Sequence, residues 1–233
     1  MNDNITGLFV VVAFVVVFLA KFLAKFFFKG NVITTRFIAR TAVFAAISII
    51  LYTVPFLKFS LPIFPAFLEI HLDEIPAFIA GFAYGPLSGV LVILIKTIVK
   101  LPLTNTACVG EFADFIYSMV FVIPAAIIYK RHRTIKGAFI SMGVATVIQI
   151  MTASFVTTFV MLDAYSKLYH LPKAVILGMC QKINPAITSL GFPFLLMVAL
   201  PFNALKDAIV VMFTFLLYKR LRILFNRIDA QKN

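Results

Sequence analysis

The sequence predicts an all-α integral membrane protein, and three observations carry that expectation. Hydrophobic residues make up 62% of the 233, the mean hydropathy is +1.05, and charged residues amount to only 13%. Soluble domains carry about 25% charged residues. The apolar residues run in stretches of bilayer-spanning length, where about 20 residues cross the hydrocarbon. The charges collect in short clusters between those stretches. The formal net charge of +12 does not indicate nucleic acid, because the basic residues sit where apolar segments end, as they do at a cytoplasmic membrane face.

The first span, 5–28, lacks the basic start and small-residue cleavage site of a secretory signal and is too long for one. It reads as a retained helix. The second span covers 37–57. The third and fourth, 75–84 and 86–101, are short and separated only by Gly85. Pro86 follows it in the position suited to the first turn of a new helix, so the two spans form a tight hairpin. Further spans lie at 112–129, 138–162 and 194–218.

Orientation follows from the basic clusters. Lys21, Lys25, Lys29 and Arg36 precede the second span, and Arg40 lies in its first turn. Lys130, Arg131, Arg133 and Lys136 separate the fifth and sixth. Lys219, Arg220, Arg222 and Arg227 follow the last. One orientation places all three inside: N-terminus outside, C-terminus cytoplasmic, and segments 58–72, 102–110 and 163–193 outside. Glu69, Asp73 and Glu74 then sit at the outer mouth of the hairpin, with Lys96, Glu111, Asp114, Asn203, Lys206 and Asp207 near the same depth. Ionisable groups in a membrane are costly unless they face a cavity or one another. Several helices supplying them at one level predicts a polar pocket, or alternatively an internal ion pair such as Lys206 with Glu111 that only locks the bundle.

Catalytic signatures are absent: no GxSxG, no HExxH and no Walker A loop occurs. Cys108 and Cys180 lack metal-ligand spacing and read as two thiols, with a disulfide as the alternative. His71 reads as a solvated loop histidine, although Asp73 and Glu74 stand beside it; no metal is expected. Without a nucleotide motif, energy for any transport must come from a partner.

The stretches LDEIPAFIAGFAYGPLSGVLVILIKTIVKL, VGEFADFI, INPAIT and PFNALKDAIVVMFTFLLYKRL, in that order, resemble the riboflavin-specific S components of energy-coupling factor (ECF) vitamin transporters. The acidic-Ile-Pro-Ala start of the hairpin, the Gly-Pro turn, the late lysine and PFN-x-x-K carry the likeness. The resemblance implies a six-helix S-component fold over 36–225. Residues 1–35 would add an N-terminal transmembrane helix and basic linker, and 226–233 a cytoplasmic tail. It implies capture of riboflavin from outside, with FMN left open, for ATP-driven uptake with a membrane scaffold subunit and two ATPases. No catalysis and no cofactor are implied.

Carried over residue by residue, the resemblance assigns Asn203 and Lys206 to the flavin ring edge, with Lys96 as the hairpin lysine. It assigns Phe64, Phe67 and Leu68 to the loop that closes over the ligand. Thr157 stands where relatives carry asparagine, and His71-Leu72-Asp73-Glu74 where they often read Asp-Phe-Ser-Asp. Glu111, Asp114 and Asn184 complete the expected ligand set, with Phe59, Tyr165 and Tyr169 offered for ring contact. The S-component scaffold face corresponds to Ala42 and Ala46, one turn apart, since small side chains let helices approach closely in lipid; packing within the bundle is the alternative. Competing functions are an S component for another vitamin, such as pantothenate or a pyridoxine-like compound, an intramembrane enzyme acting on a lipid headgroup through Glu111 and Asp114, and a ligand-free structural subunit.

Overall fold

The computed structural model describes residues 34–104, 108–168 and 172–230. The expected span at 5–28 lies outside the described residues, as does Tyr169. The helices are α1 (Thr35–Thr53), α2 (Glu74–Tyr84), α3 (Pro86–Lys100), α4 (Val109–Arg131), α5 (Ile135–Leu168), α6 (Lys173–Gln181) and α7 (Phe192–Ala230). Five of these, α1, α3, α4, α5 and α7, are long and apolar enough to cross a membrane, and α2 is a shorter apolar helix. Met1–Ile38 and Ala39–Asn233 are separate compact units, and from Ala39 onward the described helices form the second.

The hairpin at the centre explains the architecture. Nine of the eleven residues of α2, Glu74 through Phe82, are buried, so this helix is wrapped by its neighbours. At about 1.5 Å per residue it is only about 16 Å long, half the hydrocarbon thickness. Its N-terminal end therefore stops inside the bundle, and the acidic residues there lie at the floor of a cavity.

The turn into α3 uses Gly85 at φ 98°, a conformation that disfavours any Cβ, with Pro86 opening the next helix. Gly89 lets α3 approach closely: a Cβ there would lie 3.0 Å from the Ala77 carbonyl oxygen and 3.1 Å from Val122.

One face of α1 carries Thr41, Ala45, Ser48 and Tyr52 at helical spacing, and this is its buried face. Thr41 shares a 2.8 Å hydrogen bond with Ser88 of α3, and the Ser48 hydroxyl donates to the Asp73 carbonyl at 2.6 Å. Buried polar groups on a mostly lipid-facing helix are thus satisfied across the interface. Ala42 and Ala46 lie on a different, exposed face.

Two departures from the expected elements stand out. The segment 163–193, expected as an outer loop, is partly helical: α5 continues to Leu168, and α6 fills Lys173–Gln181. Ile176 and Cys180 of α6 are buried with Ile70, Leu162 and Phe194 in an apolar cluster, and this tertiary burial stabilises a helix whose length alone would not hold it. Helices α5 and α7 each pass through a π-helical turn, Thr157–Met161 and Leu195–Ala199. In α7 the cause is legible: Pro201 has no N–H to offer the carbonyl four residues back, and the helix widens just before it.

Candidate ligand-binding site

A cavity of about 510 Å³ opens among the ends of these helices. Its size falls within the range of small-molecule sites, about 300–1,000 Å³. Tyr52 of α1, His71 of the α1–α2 segment, Asp114 and Tyr117 of α4, Thr157 of α5, and Asn203 and Lys206 of α7 all face it.

The floor is a buried ion cluster. Lys96, fully buried, contacts Asp73 and donates to Asp114 Oδ2 and Ser118 Oγ at 2.9 Å each. The Lys206 ammonium lies 2.9 Å from Glu74 Oε1 and 4.0 Å from Asp114 Oδ1. The principal partner of Lys206 is thus Glu74, with Asp114 more distant, and not Glu111 as in the alternative read from the sequence. The short α2 presents Glu74 directly toward α7, while Glu111 accepts from Thr104 Oγ1 at 2.7 Å.

His71 is not a solvated loop residue. Its side chain is 12% exposed, its Nδ1 contacts Asp73 Oδ1, and its Nε2 lies 3.4 Å from Asp114 Oδ1. The Tyr52 ring packs on it at 5.3 Å between centroids. His71, Asp73 and Glu74 could geometrically hold a metal. With Lys96 and Lys206 already paired to those carboxylates, a metal would have to displace both ammonium groups.

Asn203 and Lys206, three residues apart, occupy one face of α7 and reach the cavity together. The Asn203 amide nitrogen donates to Ser154 Oγ at 3.1 Å and to the Ala199 carbonyl at 2.8 Å. Both amide hydrogens are thereby committed, and the side-chain oxygen remains as the acceptor. The pair offers an incoming molecule one acceptor beside one cationic donor. Thr157, where the π-helical turn of α5 begins, shares a 3.0 Å hydrogen bond with the Tyr117 hydroxyl, and both line the wall.

Among the other expected ligand residues, Phe67, Leu68, Glu111 and Asp114 line the cavity. Three do not. Lys96 lies beneath the floor, against the lining residues Asp114 at 2.9 Å and the Tyr52 ring at 4.8 Å. Phe64 belongs to the neighbouring apolar cluster and meets the cavity-lining Phe202 edge-on at 5.3 Å. Asn184 is engaged in a local turn, its side-chain oxygen accepting from Ala186 N at 3.0 Å. Tyr165 lines the cavity, whereas Phe59 pairs with Ile70 in an isolated bridge. The thiols of Cys108 and Cys180 are both free, the first exposed and the second buried, and burial pushes the Cys180 thiol up to about 11.

Residues 36–219 match the family described as "ECF transporter, substrate-specific component". The chain belongs to that family. Its helical framework agrees: a solved chain titled "Structure and mechanism of the S component of a bacterial ECF transporter" superposes with a TM-score of 0.63 at 25% identity, covering 81% of this chain and 96% of that one. "Riboflavin transporter RibU" of Staphylococcus aureus (strain TCH60) is 28% identical over 189 residues, 81% of this S component and 93% of that protein. "Riboflavin transporter FmnP" of Bacillus subtilis (strain 168) is 26% identical over 188 residues, 79% and 93% respectively. A third relative, "Riboflavin transporter RibU" of Streptococcus thermophilus (strain ATCC BAA-250 / LMG 18311), is 25% identical over 201 residues.

His71, Tyr52 and Tyr117 are not assigned to the site by the sequence, and Glu74 is placed there in the polar pocket but not among the ligand residues. The signal for Glu74 was its place at the start of a helix too short to reach the surface. For His71 it is the pair of carboxylates two and three residues on, Asp73 and Glu74. Tyr52 carries a weaker signal, as the last member of the buried stripe on α1.

Proposed function

We propose that this S component captures riboflavin from outside the cell and delivers it to an ECF scaffold subunit driven by two ATPases. The observation that carries the ligand is the acceptor–donor pair of Asn203 and Lys206 at a largely apolar-walled cavity. The pyrimidine edge of isoalloxazine alternates carbonyl, N–H and carbonyl. Its N–H suits the Asn203 side-chain oxygen, and an adjacent carbonyl suits the Lys206 ammonium. Phe67, Leu68 and Met161 offer apolar surface to the flat tricycle. The relatives named as riboflavin transporters support the same ligand.

The termini take the orientation that puts the basic clusters inside: C-terminus cytoplasmic and N-terminus outside. The cavity wall that carries Lys58, Phe67, Glu69 and Met179 then faces the exterior. Ala42 and Ala46, exposed on α1, form the face that docks on the scaffold, where small side chains permit close helix contact. The chain carries out no catalysis itself and acts as a binding subunit.

Purification of the full chain in mild detergent, followed by absorbance and mass analysis of any bound small molecule, tests the ligand. Co-purified flavin is the expected result. A different vitamin bound in its place would refute the flavin reading.

A further inference from the structure

Asp207 follows Lys206 on α7, is fully buried, and has no hydrogen-bond partner for either carboxylate oxygen among the described residues. Consecutive helix residues point about 100° apart, so the Lys206 ammonium turns to Glu74 instead, at 2.9 Å. The charges that act on Asp207 are Lys206, which attracts it, and Glu74, which repels it. Charge in this region does not balance. Four buried carboxylates, Asp73, Glu74, Asp114 and Asp207, share two buried ammonium groups, Lys96 and Lys206. His71, between Asp73 and Asp114, adds at most one positive charge. Glu111 and Lys100 at the cavity wall offset each other in sign. At least one negative charge is left over, and Asp207 is the carboxylate that no cationic side chain pairs with.

A second buried oxygen without a partner lies at the same level. Helices α5 and α7 run antiparallel, tied by the Asn203–Ser154 hydrogen bond and by the ring pair Phe139–Phe215 at 5.9 Å. Between those contacts, Asp207 lies about 6 Å along α7 from Asn203, and Gln149 about 7.5 Å along α5 from Ser154 in the same direction. Gln149 is 1% exposed, and its side-chain oxygen has no hydrogen-bond partner among the described residues. The carboxylate and amide oxygens are all acceptors and cannot satisfy one another, whereas a cation satisfies them together. An uncompensated carboxylate buried in a spanning helix is costly, and such residues mark ion sites. We propose that Asp207 and Gln149 form a cation site between α5 and α7, deeper than the ligand cavity, and that it takes sodium. Oxygen donors select a hard cation. Calcium would need six or more oxygens and magnesium would keep several waters, but this pair supplies one carboxylate and one amide. Neither residue lines the cavity, so the ion must be small.

The test uses the purified full chain without flavin, in sodium chloride or in choline chloride at equal concentration. Choline matches the ionic strength and is too large for a buried site. A site about 90% filled is expected to raise the melting temperature in sodium by about 3–5 °C. Radiolabelled sodium should be retained by the chain and displaced by unlabelled sodium chloride, not by choline chloride. Asp207→Asn keeps the shape and removes the charge, and is expected to melt at one temperature in both salts and to retain no label. Gln149→Leu is expected to raise the sodium concentration for half-maximal stabilisation by about 2- to 13-fold, the scale of one neutral contact, and it tests the site even if Asp207→Asn fails to fold. Equal melting of the wild type in both salts, with no retained label, would overturn the site. So would a sodium response that survives unchanged in Asp207→Asn or Gln149→Leu. Stability that ignores sodium but follows pH through Asp207 would also overturn it, making that side chain a neutral acid. Flavin is absent from every arm, so none of these outcomes bears on the riboflavin reading.

Discussion

Replacing Lys206 by methionine separates what this residue does for the fold from what it does for the ligand. The ammonium lies 2.9 Å from Glu74, whose side chain is fully buried at the start of α2. Its removal leaves that carboxylate uncompensated, and breaking a buried pair from one side costs about 3–5 kcal/mol. The same substitution deletes a charged donor to the ligand, worth about 1.5–3 kcal/mol, or roughly 13- to 150-fold in affinity. The single variant is therefore expected to be both less stable and a poorer binder. Adding Glu74→Gln removes the orphaned charge. The double variant should recover most of the lost melting temperature while riboflavin affinity, read by isothermal titration, stays at least 13-fold weak. Asp114, at 4.0 Å from Lys206, keeps its contact with Lys96 throughout. Recovery of binding along with stability would show that Lys206 only props up Glu74, and would refute its assignment to the ligand edge.

Asn203→Ala removes the acceptor opposite the flavin N–H and is expected to weaken riboflavin by about 2- to 13-fold in the same titration, the range of a neutral hydrogen bond. Ala42→Trp or Ala46→Trp should abolish uptake in cells carrying the scaffold and ATPases while leaving binding by the isolated chain unchanged; loss of binding would place these residues in the bundle's own packing. At pH 8 a membrane-permeant maleimide should label Cys108 rapidly and Cys180 slowly, because burial raises the Cys180 thiol to about 11 and keeps it protonated. Equal labelling rates, measured by mass, would contradict the buried placement of α6.

Much of the architecture is legible in the sequence because lipid imposes simple demands. Apolar length marks α1, α3, α4, α5 and α7, and Gly85-Pro86 marks the hairpin turn. Asn203 and Lys206 are also legible, since a spacing of three residues on a helix fixes a shared face. Pairing is not legible. That Lys206 meets Glu74 depends on how far the short α2 rises within the bundle, and no local pattern encodes that height. Helix α6 escapes for a related reason: its nine residues owe their form to burial of Ile176 and Cys180 against Phe194 and Leu162, partners distant in sequence. His71 reads as a surface residue because it lies in a connection between helices, yet Asp73 and Asp114 hold it inward. Asn184 shows the converse, a polar residue of the right type whose side chain serves its own turn.

The central claim is that one riboflavin binds in the cavity bounded by α1, α4, α5 and α7. Its most direct test is titration of the purified full chain with riboflavin, following flavin fluorescence, in the wild type and in Asn203→Ala. The account predicts saturable quenching at one flavin per chain, with the variant saturating at a concentration about 2- to 13-fold higher. Absence of quenching in a folded wild type, or an identical curve for the variant, would contradict it.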